Sequence, residues 1–256
     1  MTAAPREWDA ETYDRVSAPQ EEWARAVIDR LELSGDETVL DAGCGSGRVT
    51  EMLLEHLPDG RVIAVDGSES MVEEARRRLD PGRATLIHSD LLEIELEAEV
   101  DAVFSNAVFH WIHDDERLFR VMHRALRPGG RMEAQCGGAG NIANVLVAIE
   151  GASAEEPFRE HLEGFDPHRF ATPEQTERAL TAAGFEDVAC GLLEWPVHTP
   201  EPREFIRSVC LGAHSELLPE GLRGEFLDAV AGRLGPDPEL DYVRLNISAR
   251  KRAVPA

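Results

Sequence analysis

Lysine is almost absent from this chain: of its 26 basic residues only Lys251 is a lysine. Nearly all positive charge is therefore guanidinium, the group suited to planar carboxylate pairing. Positive charge of any kind is scarce, since 49 acidic residues leave a formal charge of −23. Such a surface repels phosphate backbones and anionic membranes, so neither a nucleic-acid substrate nor a membrane partner is expected. Cysteine is scarce too. The four, at positions 44, 136, 190 and 210, show no CxxC spacing, which argues against a disulfide framework and a metal site. No run of about 18 apolar residues occurs, and the opening MTAAPREW lacks an apolar stretch of signal-peptide length, so a cytoplasmic location is expected. Internal repeats are missing as well. A chain of 256 residues suits one large α/β unit with insertions better than two independent cores.

What is present is organised around residues 38–47, TVLDAGCGSG. Thr38, Val39 and Leu40 form the β-branched and apolar run of a buried parallel strand, with Asp41 at its end. Gly43, Gly45 and Gly47 strip alternate side chains from the following loop, so the backbone can take positive φ and a ligand can approach it closely. Val49, Met52, Leu53 and Leu57 then recur at helical spacing, which aims free N–H groups back over the strand end. The dinucleotide fingerprint fails because Arg48 stands where its third glycine belongs. A triphosphate loop fails because Gly47-Arg48-Val49 replaces the Gly-Lys-Ser/Thr ending.

Residues 41–47, Asp-Ala-Gly-Cys-Gly-Ser-Gly, resemble the first motif of the class I S-adenosylmethionine-dependent methyltransferases, and later motifs follow in that family's order over residues 39–136. The resemblance implies an α/β, Rossmann-like, doubly wound seven-stranded sheet, six strands parallel and one antiparallel, with helical lid insertions. It implies a single methyltransferase domain over 1–256, with 1–33 as an N-terminal helical cap and 199–240 as a helical lid. The cofactor implied is S-adenosyl-L-methionine.

Along the chain, residues 61–66 (RVIAVD) read as a second strand ending in Asp66, placed to accept from both ribose hydroxyls. Gly67 and Ser68 follow it in the same cofactor-facing loop. Ser70 and Glu73 form a capping-box pattern for the next helix, in which Met71 is either a core residue or an adenine contact. A third strand, 84–88, precedes Asp90 and Leu91, which match the family's adenine-recognising positions; a helix cap is the other reading of Asp90. The fourth strand, 100–105, leads into Asn106 and Ala107, where strand ends converge on a ligand crevice. A helix over 116–126 and the Pro-Gly-Gly turn at 128–130 lead to a fifth strand, 131–136. Thr172, Pro173 and Gln175 open a capped helix, a sixth strand falls within 188–197, and alternation over 242–251 predicts a seventh strand with Arg244 on a solvated face.

Before the first strand, Trp23, Ala26, Val27, Ile28 and Leu31 predict an amphipathic helix, preceded by Tyr13, Ser17 and Gln20 at helical spacing. The pattern Tyr13, Ser17, Gln20 with Phe109-His110-Trp111 is similar to small-molecule carboxyl methyltransferases, including the juvenile hormone acid, salicylate and benzoate enzymes, and the bacterial trans-aconitate enzymes. It implies a small carboxylic acid as acceptor, a cofactor contact for Tyr13, and Gln20 and Trp111 as neutral donors holding a carboxylate. Trp111 can equally be core, and Gln20 can serve the cofactor alone. His110 carries the rival chemistry, a general base for a hydroxyl or nitrogen acceptor. A third alternative is a partner protein that binds the cofactor without turnover. His161, His168, His198 and His214 read as surface or lid residues, and Arg159, Arg169 and Arg207 as candidate distal anchors. A monomer or weak homodimer is expected.

Overall fold

In the computed structural model, which describes Glu7 and residues 18–253, with side chains from 21 onward, seven strands form one sheet. They are β1 (Thr38–Ala42), β2 (Arg61–Asp66), β3 (Ala84–His88), β4 (Val100–Asn106), β5 (Leu126–Gly137), β6 (Phe185–Glu194) and β7 (Val243–Lys251). Their order is β3-β2-β1-β4-β5-β7-β6, and β7 alone runs antiparallel to its neighbours. The strand direction and order are those of the expected Rossmann-like sheet. All five residues of β1 are buried, as a central strand covered on both faces requires. Because the chain turns outward in both directions from β1 and β4, their C-terminal ends open a crevice.

Helix α1 (Ala18–Leu31) seats Trp23, Ala24, Val27, Ile28 and Leu31 against the sheet; the stripe is that of the amphipathic pattern, with Ala24 taking the place expected of Ala26. Helices α2 (Arg48–Glu55) and α3 (Glu69–Arg78) follow β1 and β2. The cap of α3 is not the expected Ser70–Glu73 box. Ser68 is the N-cap and accepts from the Met71 N–H, while the Glu7 carboxylate accepts from Ser68 Oγ and the Glu69 N–H, each at 2.9 Å. Starting the helix two residues earlier lets the Ser68 hydroxyl and the Glu7 carboxylate meet its open N–H groups. Helix α4 (Asp115–Ala125) is capped by Asp114, and its amphipathic face packs on the sheet.

The Pro-Gly-Gly segment does not precede β5 as a separate turn. It bulges within the strand, since Val100 pairs with Leu126 and Ala102 with Arg131. After α5 (Ala143–Ser153), helix α6 (Pro173–Ala182) carries the predicted capping box, with Thr172 and Gln175 exchanging hydrogen bonds. Strand β6 starts earlier than expected, at Phe185. The region 199–240 is helical: Pro202–Phe205, a π-turn over Ile206–Cys210, Gly212–Leu217 and α7 (Glu220–Leu234). Phe205, Ile206, Leu211, Phe226 and Val230 from it join Trp23 and Tyr242 in a second apolar core beside the one beneath the sheet.

The alternation of β7 is real, but its polar face is not solvated. Arg244 is 1% exposed, and Asn246 and Ser248 bond across to Gln135 and Glu133 of β5. Helix α1 packs against β4 and β5, and its Arg30 donates to Glu133, so the face is a polar ladder covered in part by that helix.

Candidate functional site

The site is built from strand ends. After β1 the loop folds back so that the Gly43 and Cys44 N–H groups both donate to the Val65 carbonyl of β2, at 2.8 and 3.0 Å. Gly43 sits at φ +90°, and a Cβ there would lie 2.2 Å from Val108 Cγ2, so this glycine is a packing requirement. Gly45, at φ +54°, is different: an added Cβ would meet nothing within 4 Å, so the loop is open on that side. That open backbone is where a ligand can approach. Gly47, in the left-handed conformation, starts α2.

Asp66, at the end of β2, joins the two loops by accepting from the Gly45 N–H at 2.8 Å and the Ser68 N–H at 2.9 Å. Burial raises its pKa, partly offset by those N–H groups, and the nearby Glu7 charge raises it further. Asp41 is 1% exposed and accepts from the Thr50 hydroxyl at 2.6 Å. Burial pushes it up to about 7, against the Thr50 bond and with the help of the Asp66 charge. Its side chain thus ties α2 to β1 and does not face the open side of the loop.

Around this cradle, the Ser68 hydroxyl is committed to the α3 cap, and Met71 and Leu91 are buried. The Gly67 carbonyl accepts from His88 Nε2–H at 3.1 Å, which fixes the loop between β2 and α3. Asp90 accepts from the Leu92 N–H at 2.9 Å, so it does hold the local turn. At the strand ends an open glycine backbone lies beside a buried carboxylate on the neighbouring strand, while Met71 and Leu91 are packed into the interior.

The other half lies beyond β4. Ala107 takes φ +62°, rare for alanine, and is held there by donating to the Gln135 carbonyl at 2.7 Å. This bend starts the short turn Phe109–Trp111. His110 is buried, and its Nδ1 accepts from the Gly137 N–H at 3.2 Å, which puts the ring proton on Nε2. Burial first, then the charges of Arg244 and His168, hold its pKa well below the ordinary histidine value. The ring is neutral and its free edge is a donor.

A cavity opens here, lined by Trp23, Ala107, His110, Trp111, His168 and Arg244 among others, with Val209 and Cys210 of the helical region on one side. His168 is buried and stacks on Phe170 with ring centres 4.7 Å apart; it stands 4.7 Å from Trp111. His214 is buried as well, within the helical region 199–240, so of the two places the sequence suggested, surface or lid, the surface is excluded for both. Phe170 and Trp111 stand against the His168 ring, and Phe165 and Phe226 against that of His214.

The predicted distal anchors are elsewhere engaged: Arg169 with Asp115 at 3.0 Å, Arg207 with Glu204 at 2.5 Å, Arg159 with Glu156 at 3.5 Å. The arginine in the cavity is Arg244, which the sequence reading placed on a solvated face. A signal was available: its strand face is polar at every second position, opposite the equally polar Glu133 and Gln135 of β5. Tyr13, Ser17 and the side chain of Gln20 lie outside the described residues. Among the described residues, no three His, Cys, Asp or Glu side chains are grouped to hold a metal, and no helix is long and apolar enough to cross a membrane.

Comparison with known proteins gives this geometry a setting. Residues 39–130 match the family described as methyltransferase domain. An uncharacterized methyltransferase of Schizosaccharomyces pombe is 31% identical over 188 residues, covering 70% of each chain. A trans-aconitate 2-methyltransferase of Azoarcus sp. is 36% identical over 128 residues, half of each chain. Among solved structures, the phosphoethanolamine N-methyltransferase 2 of Haemonchus contortus with S-adenosylhomocysteine superposes with a TM-score of 0.65 at 21% identity, over 96% of this chain and 57% of that one.

Proposed function

Since the chain belongs to the class I S-adenosylmethionine-dependent methyltransferases, we propose that it methylates a carboxylate of a small acid, forming a methyl ester. S-adenosylmethionine, when bound, supplies a sulfonium-activated methyl group whose transfer to a carboxylate oxygen leaves a neutral thioether and moves no proton. We assign its binding to the open backbone at Gly45 within the loop of Gly43 and Gly47, to Asp66 for the ribose hydroxyls, and to Met71, Asp90 and Leu91 for the adenine. Gly67 and Ser68 shape the ribose loop. Asp41 braces the glycine loop through Thr50, Ala107 lines the cavity, and Asn106 before it is assigned to the reacting end from the sequence pattern. Tyr13 remains a proposed cofactor contact from the sequence pattern.

One observation carries the choice of acceptor. The Nδ1 lone pair of His110 is taken by the Gly137 N–H and the buried ring is held neutral, so the residue best placed to remove a proton has no basic nitrogen facing the cavity. A hydroxyl or amine acceptor would need such a base. A carboxylate at neutral pH is already an anion with a lone pair to give, and needs orientation only. His110 Nε2–H and the Trp111 indole are neutral donors suited to that task, with Gln20 on α1 as the third donor of the sequence pattern. The aromatic wall of Trp111, His168 and Phe170 excludes water from the reacting oxygen. The acid acceptor in the name of the Azoarcus relative supports the same reading.

The test is the product. Incubation of the purified protein with labelled cofactor and an acid panel should give a volatile, base-labile methyl ester. A label stable to mild base would favour hydroxyl or nitrogen methylation instead.

A further inference from the structure

Asn141, on the loop between β5 and α5, is 2% exposed and lines the cavity with His110, Trp111 and Phe170. Backbone bonds pin that loop to the start of β7. The Gly138 N–H donates to the Val243 carbonyl at 3.0 Å, the Asn141 N–H to the Gly138 carbonyl at 2.9 Å, and the Ile142 N–H to the Asp241 carbonyl at 3.0 Å. Ile142 takes φ +47° there, a conformation costly for a β-branched residue. The side-chain amide has one orientation too. The Val243 N–H donates to Asn141 Oδ1 at 3.0 Å, and only the oxygen of an amide can accept, so Nδ2 takes the other side. Among the described residues, Nδ2 donates to no group.

Gly137 sets what surrounds that nitrogen. A Cβ on this glycine would lie 2.8 Å from Asn141 Nδ2 and 2.6 Å from Phe170 Cε1, so any side chain there would displace the amide. The Gly137 N–H is also the group that holds His110 Nδ1 and leaves the Nε2–H edge as the donor. One glycine thus seats two neutral donors near each other. Trp23, another wall of the same cavity, buries an indole N–H that meets no acceptor among the described residues. A buried donor without a partner is costly, so a wall of N–H groups favours an occupant that accepts. An ionised carboxylate only accepts, whereas a hydroxyl or an amine brings a donor of its own. Neutral donors also hold an attacking oxygen without the electron withdrawal of a cation.

Resting on the carboxylate reading above, we propose that Asn141 is an acceptor-binding residue whose Nδ2–H donates to the carboxylate that is methylated, beside His110 Nε2–H. The Val243 N–H fixes which end of the amide meets the substrate, and the bare Gly137 backbone makes room for it.

The experiment titrates two isosteric pairs, benzoate with benzamide and hexanoate with hexanamide, into protein saturated with S-adenosylhomocysteine near pH ~8, by calorimetry. Ester formation from the two acids is measured in parallel with labelled cofactor. Wild type should prefer each acid to its amide by about 10- to 100-fold, the range of a hydrogen bond to a charged group. Asn141→Asp keeps the volume and an oxygen for the Val243 N–H, but turns a negative acceptor toward the cavity. It should bind the amides better than the acids and lose ester formation by about 100-fold, with S-adenosylhomocysteine affinity unchanged. A loosened loop would not reverse that preference, so lost ester formation without the reversal would overturn the role of Asn141. A folded variant with the wild-type preference would do the same, and either outcome leaves the carboxylate reading in place. Should the variant not fold, crystals of wild type with S-adenosylhomocysteine and the tighter acid decide. Nδ2 within ~3.2 Å of a carboxylate oxygen supports the proposal, and a carboxylate seated away from it overturns it. No binding and no ester from either acid, with the demethylated cofactor bound, would overturn both readings.

Discussion

The Gly137 N–H on β5 donates to Nδ1 of His110 across 3.2 Å, so one backbone amide settles which face of the imidazole meets the cavity. The sheet, through that amide, turns a residue that looks like a base into a hydrogen-bond donor. At saturating cofactor, kcat should then stay flat from about pH 7 to 9, because no group near the ordinary histidine pKa of ~6.5 moves a proton. His110→Asn can still accept from Gly137 and donate into the cavity, and should keep substantial activity. His110→Leu leaves that buried N–H without an acceptor and should lose about 1–3 kcal/mol of stability by denaturant titration. A rate that climbs through neutrality and collapses in His110→Asn would restore the general-base mechanism.

Cofactor affinity should depend on pH through Asp66. Its pKa is raised chiefly by burial, and only the ionised carboxylate can accept from both ribose hydroxyls. Binding of S-adenosylhomocysteine should therefore weaken as pH falls through that raised value and tighten above it. Asp66→Ala should weaken binding about tenfold or more and flatten the pH dependence. Calorimetry showing a parallel pH profile in that variant would remove Asp66 from the site.

Asp41 should make the free protein less stable at higher pH. The folded chain keeps its proton up to about 7, whereas the unfolded chain releases it near the ordinary 3.8. Its contribution to stability is thus complete below the ordinary value and is lost as pH rises through about 7. Asp41→Asn can still accept from Thr50, and its stability relative to wild type should rise between pH 5 and pH 8 by on the order of 1–4 kcal/mol. Thermal melts at the two pH values with an unchanged difference would show that Asp41 is not buried as an acid.

The two glycines of the loop should fail in different ways. Gly43→Ala forces a Cβ into Val108 at 2.2 Å from positive φ, and should destabilise the fold by roughly 2–4 kcal/mol. Gly45→Val meets open space, so its cost to folding is chiefly the left-handed backbone, about 1–2 kcal/mol. Its effect on S-adenosylhomocysteine binding should be the greater, since the side chain occupies the open side of the loop. A Gly45→Val protein that is folded and binds normally would mean that the loop is only a turn.

Much of the fold was legible because its signals are local. The glycine spacing after Thr38–Ala42, the apolar strand runs and the Thr172–Gln175 box each depend on a few adjacent residues, whose backbone preferences suffice. The strand-end position of Asp66 follows from the same local order. The seventh strand was legible as a strand, since alternation is a local property, but the surroundings of its faces were not. Whether Arg244, Asn246 and Ser248 face water or a helix depends on where α1 packs, more than two hundred residues earlier in the chain. For the same reason His168 reads as a surface residue until Phe170, Trp111 and His110 close around it. The tautomer of His110 is likewise non-local, being set by an amide on β5. Sequence determined the glycine loop and the Asp66 strand end proposed to hold the cofactor, because one loop and one strand end make them; the cavity beside Trp111 was decided by tertiary structure, because its walls come from α1, the end of β4, β7 and the helical region, and only packing brings them together.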